Sequence, residues 1–412
     1  MALTGGGVLL MVLAPRLQIY LLPLLPALPW LWVAADGRRL PPFVVMPVVM
    51  ATAAFAAYAV LAAAWSPERG PALETALLLA LAVGVALGTQ QVLWAVGARG
   101  LAAMATGFCA GMALALAVLA CEVLAGQPLR RAVMTAVPAL RAAAKHVQME
   151  GQTVTFLAPY LLNRAVAMLT LLLWPALLAA RRGVVPVAPR LVAAVAFAAA
   201  GTVILNSEHL ASGVALAASG AVFLCAHFAP RAASRLVLAG WLAATLLVVP
   251  IVLAAYGAGL QRAPWLPFSA QARVVIWAHT AQQISAAPFF GAGIRAARRQ
   301  EEIDALRAET APGTVHLLTT EAHAHNVYLQ VWYELGAVGA LIGMLAGVLV
   351  LRTIAGMADA VRPWMLATFV ACAVSAAFSF GLWQPWFMAA FAMIAVFATL
   401  AAVYAAPPGR AP

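Results

Sequence analysis

Apolar runs of about 20 residues, the length needed to cross a bilayer as a helix, recur along almost the whole chain between short polar connectors. They predict membrane helices at Phe43–Ala64, Leu73–Val96, Leu101–Leu124, Phe156–Ala180, Leu191–Leu205, Leu210–Phe228, Leu236–Tyr256, Val327–Leu351, Trp364–Leu382 and Phe387–Tyr404. Ahead of these, Leu17–Ala35 carries Pro23, Pro26 and Pro29, which predicts a kinked helix. With Val8–Ala14 before Arg16 it makes either one span or a tight pair, and no cleavable signal peptide stands out. Strand alternation is absent, which argues against a β-barrel. The expected fold is an all-α polytopic membrane protein of about 12 transmembrane helices. Residues 1–412 are expected to form a single membrane domain with no soluble module at either end.

Two polar stretches interrupt the rhythm. Residues 256–324 form one large loop inserted before the helix that starts near Asn326, far longer than an ordinary connection and therefore expected to be a folded functional loop. Inside it, Gln271–Ala287 has Val274, Val275, Ala278, Ala281 and Ile284 at helical spacing. It reads as an interfacial amphipathic helix anchored by Trp277, broken at Pro288 and Gly291-x-Gly293. A short polar helix is expected at Ala296–Ala308, closed by Pro312-Gly313. The smaller stretch Ala125–Thr155, with Arg130, Arg131, Arg141 and Lys145, is either a basic lid or a solvated helix.

Composition agrees with the pattern: 65% hydrophobic and 9% charged residues, where a soluble chain carries roughly 25% charged. The net charge is +11, and of 24 basic residues only Lys145 is a lysine. Arg38-Arg39, Arg99, Arg181-Arg182-Arg190, Arg231-Arg235 and Arg352-Arg362 fall in alternate connectors, which the positive-inside bias assigns to the cytoplasm. Trp65–Gly70, Ala125–Thr155, Asn206–His209 and residues 256–324 then face outward. No basic run interleaves with aromatics, so a nucleic-acid partner is not expected. Cys109, Cys121, Cys225 and Cys372 all lie in apolar segments without C-x-x-C spacing and read as buried free thiols.

The candidate chemistry lies where the large loop re-enters the membrane, at Glu321-Ala-His323-Ala-His325-Asn326. His325 either caps the following helix or acts as a base, since an imidazole accepts protons near neutral pH. Glu321, His323 and His325 also admit a metal reading. However, no third His or Cys has ligand spacing, and His279 and His316 are isolated, so no metal is expected. The chain has no D-x-D, so a bound diphosphate would be met by arginines, whose guanidinium groups take phosphate oxygens in pairs. Arg262, Arg273, Arg295, Arg298, Arg299 and Arg307 supply them from the loop. Arg164, beside Asn163 and placed about two turns into its segment, either marks a functional cavity or snorkels outward. Glu122 is expected to snorkel, and Glu334 to face the interior. Gly336-x-x-Gly339 suits close helix packing.

His325-Asn326, nine residues, then Gly336-x-x-Gly339 resembles the signature of bacterial O-antigen ligases, part of the ligase and polymerase superfamily acting on polyprenyl-diphosphate-linked glycans. Arg273-x-x-x-Trp277 and Pro288-x-x-Gly291-x-Gly293 agree, as do the span count and the single large outer loop. The resemblance implies an enzyme of the Gram-negative inner membrane with a periplasmic active site. It would transfer O-antigen from undecaprenyl diphosphate to a sugar hydroxyl of lipid A–core, with inversion and without cofactor or metal. His325 would be the general base. Arg273 would hold the diphosphate, and Arg164, Arg262, Arg295 and Asn326 are further candidate contacts. The chain departs from the family pattern at Asn206-Ser207-Glu208-His209, where many members carry an arginine after a serine. Two other readings are an O-antigen polymerase and a non-catalytic transporter or flippase for lipid-linked glycans.

Overall fold

The computed structural model describes residues 1–40, 46–141, 146–182, 189–299 and 323–406. The expected Ala296–Ala308 helix therefore lies mostly outside the described residues, as do Glu321, His316, Arg307 and Lys145. The chain is an all-α polytopic membrane protein. Among the described residues, eight helices are long and apolar enough to cross a membrane, or nine if one bent pair counts as a span, and three shorter apolar helices accompany them.

The order begins with an antiparallel pair, α1 (Ala2–Leu13) and α2 (Gln18–Ala35). Gly107 and Gly111 of α5 (Ala98–Leu124) let α1 approach so closely that a methyl group at either would fall 2.4–2.5 Å from the carbonyls of Met1 and Gly5, the use of small residues expected in lipid. α3 (Pro47–Ala62) and α4 (Arg69–Leu93) lie between them in sequence. α7 (Asn163–Ala180) and α15 (Pro385–Ala405) form the centre. Every side chain from Ala165 to Ala179 is buried, as expected of a helix apolar on all faces. α8 (Pro189–Leu205), α9 (Leu210–Phe228) and α14 (Arg362–Phe378) complete that side.

Four expected segments end differently. Phe156 belongs to a hairpin of β1 (Val147–Glu150) and β2 (Thr153–Leu157), so α7 starts at Asn163 and Arg164 sits at its first turn. The Leu236–Tyr256 run is two helices, α10 (Pro230–Leu246) and α11 (Val248–Gly257), bent by 69°. Pro250, in the first turn of α11, has no N–H to carry α10's hydrogen bonding across the bend. α14 stops at Phe378, which frees Ser379–Gln384 as a connector. α13 (Val327–Gly356) is interrupted at Gly336, whose φ is +64°.

The described residues of the 125–155 stretch hold a helix and a hairpin that pack together. α6 (Pro128–Ala136) packs on the hairpin, and its arginines serve backbone carbonyls. Arg130 donates to Leu161 and Leu13, Arg131 to Thr155, and Arg141 to Met134 and Gln152. Glu122 does not snorkel. It is 3% exposed, accepts from the Leu129 N–H at 2.7 Å at the start of α6, and lies 3.7 Å from Arg130. The helix N-terminus offers an anion the N–H groups that lipid cannot.

The connectors sort into two ends. Ser66 donates to the Ile294 carbonyl (2.7 Å), His209 reaches Ser379 (3.0 Å), and Arg164 stacks on Trp386, gathering the connectors assigned outward. At the other end Arg38 donates to Ala95, Arg181 to Ala360 and Arg182 to Tyr404.

Candidate active site

The loop at Pro288–Gly293 and the break in α13 are built from one another. Where Gly336 interrupts the helix, the carbonyls of Tyr333 and Glu334 and the N–H groups of Ala337 and Val338 lose helical partners. Ala292 and Gly293 N–H supply the first two (both 2.9 Å), and the carbonyls of Pro288 and Phe289 take the last two (2.9 and 3.1 Å). Tyr58 donates to the Leu335 carbonyl at 3.1 Å. The Gly336-x-x-Gly339 element is thus a docking point for the upstream glycine loop, not a helix–helix contact: a Cβ on Gly336 would meet the Phe289 carbonyl and Gly291 N.

Two residues earlier, Glu334 is fully buried and collects donors from three elements. Trp383 Nε1 donates to it, as do the Ala297 N–H (3.2 Å) and Gln330 Nε2 (3.4 Å), while Gln330 Oε1 accepts from Leu382 N–H (2.9 Å). Glu334 therefore ties α13 to both the arginine loop and the 379–384 connector. Glu334→Ala is expected to strand these donors, each unsatisfied group costing about 1–3 kcal/mol. A clear fall in the thermal midpoint of detergent-purified protein checks this, with Glu334→Gln falling less.

His325 sits just ahead of α13 in the left-handed region (φ +52°). Asn326 is the helix cap: it is buried, and its Oδ1 accepts the Leu329 N–H at 3.0 Å. That position gives Asn326 a structural task at the start of α13. Trp277 lies on α12 (Phe268–Ile284). Its indole donates to the Ala324 carbonyl (2.7 Å) and so holds the segment entering His325. The His325 ring lies edge-on to His323, with centroids 4.2 Å apart.

Both histidines rest on the connector between α14 and α15. His325 Nδ1 is 2.8 Å from the Ser379 carbonyl. Trp386 orients the Gln384 amide by donating to its oxygen (2.7 Å), so the amide N–H points to His323 Nε2, also at 2.7 Å. A Cβ on Gly381 would meet the His323 side chain at 2.5 Å, which explains a glycine there. Beyond His323 opens a cavity of about 410 Å³, lined by Arg295, Arg298, Gln330, Trp383 and Gln384 among others, within the usual ligand-site range of about 300–1,000 Å³.

The predicted arginines divide. Arg164 lies 5.7 Å above the Trp386 ring, on the connector side of the site. Arg273 is close enough to His209 for its charge to act on that ring. Arg295 lines the cavity while its Nε pairs with Glu68 at 2.9 Å. Arg262 is exposed on a short turn and makes no side-chain bond or ion pair among the described residues, so it is not gathered into the site. Sequence reading missed His209, Ser379, Trp383, Gln384 and Glu68, because each gains its place only when distant connectors meet. Among the described residues, no three His, Cys, Asp or Glu side chains cluster as metal ligands would.

His209 occupies the connector where an arginine was expected from the resemblance. Its Nδ1 is 2.8 Å from Ser212 Oγ and its Nε2 3.0 Å from Ser379 Oγ. Burial, with the Arg273 charge acting the same way, lowers its pKa to about 4. The unfolded ring titrates near 6.5, so between about 4 and 6.5 the unfolded chain binds a proton that the folded chain refuses. This contribution is fully present above about pH 6.5 and is lost as pH falls toward 4. It corresponds to about 3 kcal/mol at most. The thermal midpoint is expected to drop on acidification through this window, and His209→Gln to flatten that drop.

The fold and site define a multi-span membrane protein that presents imidazole, guanidinium and a ligand-sized cavity together at one end of its bundle. Residues 193–344, from α8 to the first half of α13, match the family model described as O-antigen ligase. The matched stretch contains His209, Arg273, Arg295, His325 and the Gly336-x-x-Gly339 element. No curated protein matches the chain.

Proposed function

We propose that the protein is an O-antigen ligase, transferring a glycan from undecaprenyl diphosphate to a sugar hydroxyl of lipid A–core at the periplasmic face of the Gram-negative inner membrane. The observation that carries this reading is that His325 bonds Ser379 of the 379–384 connector and Arg164 lies over Trp386 at the start of α15, while Arg273 acts on His209, which bonds Ser379 in turn. His325 Nε2 takes the proton from the acceptor hydroxyl as its oxygen attacks the anomeric carbon. The bond from that carbon to the diphosphate breaks, and its electron pair leaves with the diphosphate oxygen, inverting the centre. Arg273 and Arg164 stabilise that departing charge. The concentration of connector arginines at the opposite end supports the orientation through the positive-inside bias.

Ligation is favoured over polymerisation because Arg130, Arg131 and Arg141, among the described residues of the second connector, are spent on backbone carbonyls and not on a second arginine-lined platform. A flippase would need charged cavity residues reachable from both faces, whereas Arg38, Arg181 and Arg182 at the opposite end are bound to carbonyls.

The test is purified protein in lipid with an undecaprenyl-diphosphate glycan and, in parallel, lipid A–core or a second lipid-linked glycan as acceptor. Transfer to lipid A–core that persists in chelator is expected. Growth of lipid-linked glycan instead would reassign the protein as a polymerase, and no transfer to either acceptor would remove the enzymatic reading.

A further inference from the structure

Ser379 is shared by two histidines that approach it from different elements. Its carbonyl lies 2.8 Å from His325 Nδ1 and its hydroxyl 3.0 Å from His209 Nε2. A carbonyl can only accept, so the proton of that bond belongs to His325 Nδ1. In the neutral ring this leaves the lone pair on Nε2. The Ser379 carbonyl therefore decides which nitrogen of His325 can take a proton.

Ser379 needs something to hold it. It is the residue after α14, with φ −120° and ψ −86°, outside the regular hydrogen-bonding of the helix. His209 supplies the hold. It is 6% exposed and fixed on its other nitrogen by Ser212 Oγ. Its face stacks on the neighbouring Phe380, with centroids 5.5 Å apart and planes at 26°. Both hydroxyls can donate or accept, so a neutral imidazole is satisfied at both nitrogens without competing for the proton of His325.

We propose that His209 is a positioning residue for His325, acting through Ser379: it fixes the serine so that the carbonyl of the same residue holds His325 Nδ1–H and keeps Nε2 as the proton acceptor. The proposal rests on the reading of His325 as the base. It also gives the departure at Asn206–His209 a task, since the connector that lacks an arginine organises the base.

The test uses the full-length protein with ¹⁵N-labelled histidines, His325 being identified by the signal lost in His325→Asn. Wild-type His325 is expected to show protonated Nδ1 and unprotonated Nε2. His209→Leu and Ser379→Ala should shift that population. Both should lower kcat by about 10- to 100-fold, the usual cost of losing a partner that orients an imidazole, with both KM values unchanged. His209→Gln, which can still offer an N–H toward Ser379, should restore the tautomer and most of the rate.

An unchanged His325 tautomer in His209→Leu would overturn the proposal. So would a raised donor KM in place of a lowered kcat, which would make His209 a ligand contact, or a His209→Gln no better than His209→Leu. If His209→Leu does not fold, Ser379→Ala gives the same readouts from a smaller change. If wild-type protein transfers glycan to no acceptor, the functional reading fails, while the nitrogen spectrum still decides whether His209 sets the tautomer.

Discussion

His325→Ala is expected to cut glycan transfer by about 10²–10⁴-fold, the range for a lost general acid or base. The expectation follows from position. The ring is partly exposed, its Nδ1 is committed to the Ser379 carbonyl, and it lies edge-on to His323, which lines the arginine-bearing cavity. Alanine at φ +52° also adds backbone strain of about 1–2 kcal/mol. His325→Asn is the cleaner companion, since asparagine tolerates the left-handed region and carries no base. Both variants should bind the lipid diphosphate donor as wild type does, because Arg273 and Arg164 are untouched. Near-normal transfer by His325→Asn would mean that another group takes the proton. Equal loss of donor binding and rate would recast His325 as a binding residue.

The second large effect is expected on folding. Gly336→Ala and Gly291→Ala should each prevent recovery of stable protein, or lower its thermal midpoint far more than a surface alanine would. Both glycines have positive φ, +64° and +74°, which costs an alanine about 1–2 kcal/mol. Steric overlap with the facing backbone costs more. A Cβ on Gly336 would lie 2.4 Å from the Phe289 carbonyl oxygen, and one on Gly291 would lie 2.4 Å from the Glu334 carbonyl. Neither neighbour is a side chain that can rotate away. The backbone of one segment would have to move from the other, breaking the four bonds that join Pro288–Gly293 to the interrupted helix. Gly240→Ala, at a position where nothing lies within 4 Å of the new Cβ, is the matched control. Thermal unfolding and size-exclusion profiles in detergent check all three, and a Gly336→Ala protein as stable as the control would show that the break is not needed.

These two results bear on different levels of the same site. The glycine contact fixes where α13 breaks, and that break puts Glu334 under the cavity, holding Trp383 and the Ala297 loop. His325 then stands on a helix start whose position is already set. A variant that loosens the glycine contact should therefore lose activity together with stability, whereas His325→Asn should lose activity alone.

The apolar periods were enough to determine the membrane fold, because in lipid each span must satisfy its own backbone hydrogen bonds and so declares itself locally. They located α9 and α15 to within two residues, and the start of α13 to the residue. The His325-Asn326 and glycine spacing likewise marked the end of the bundle where histidines, arginines and a cavity meet, and the interior placement of Glu334 followed from an acid inside an apolar run. Composition could not foresee that Phe156 would leave the membrane for a hairpin, that α10 and α11 would bend apart, or that Trp364–Leu382 would stop at Phe378. A short apolar strand or connector carries the same hydropathy as a helix end, and only its tertiary partners separate them. The working parts of the site share that property. Ser379 looked like the tail of a span, His209 like a missing arginine, and Asn326 like a ligand contact. Their tasks were decided when connectors some fifty to two hundred residues apart in sequence closed on one another, because a hydrogen bond depends on distance and direction, and neither is written in the order of residues alone.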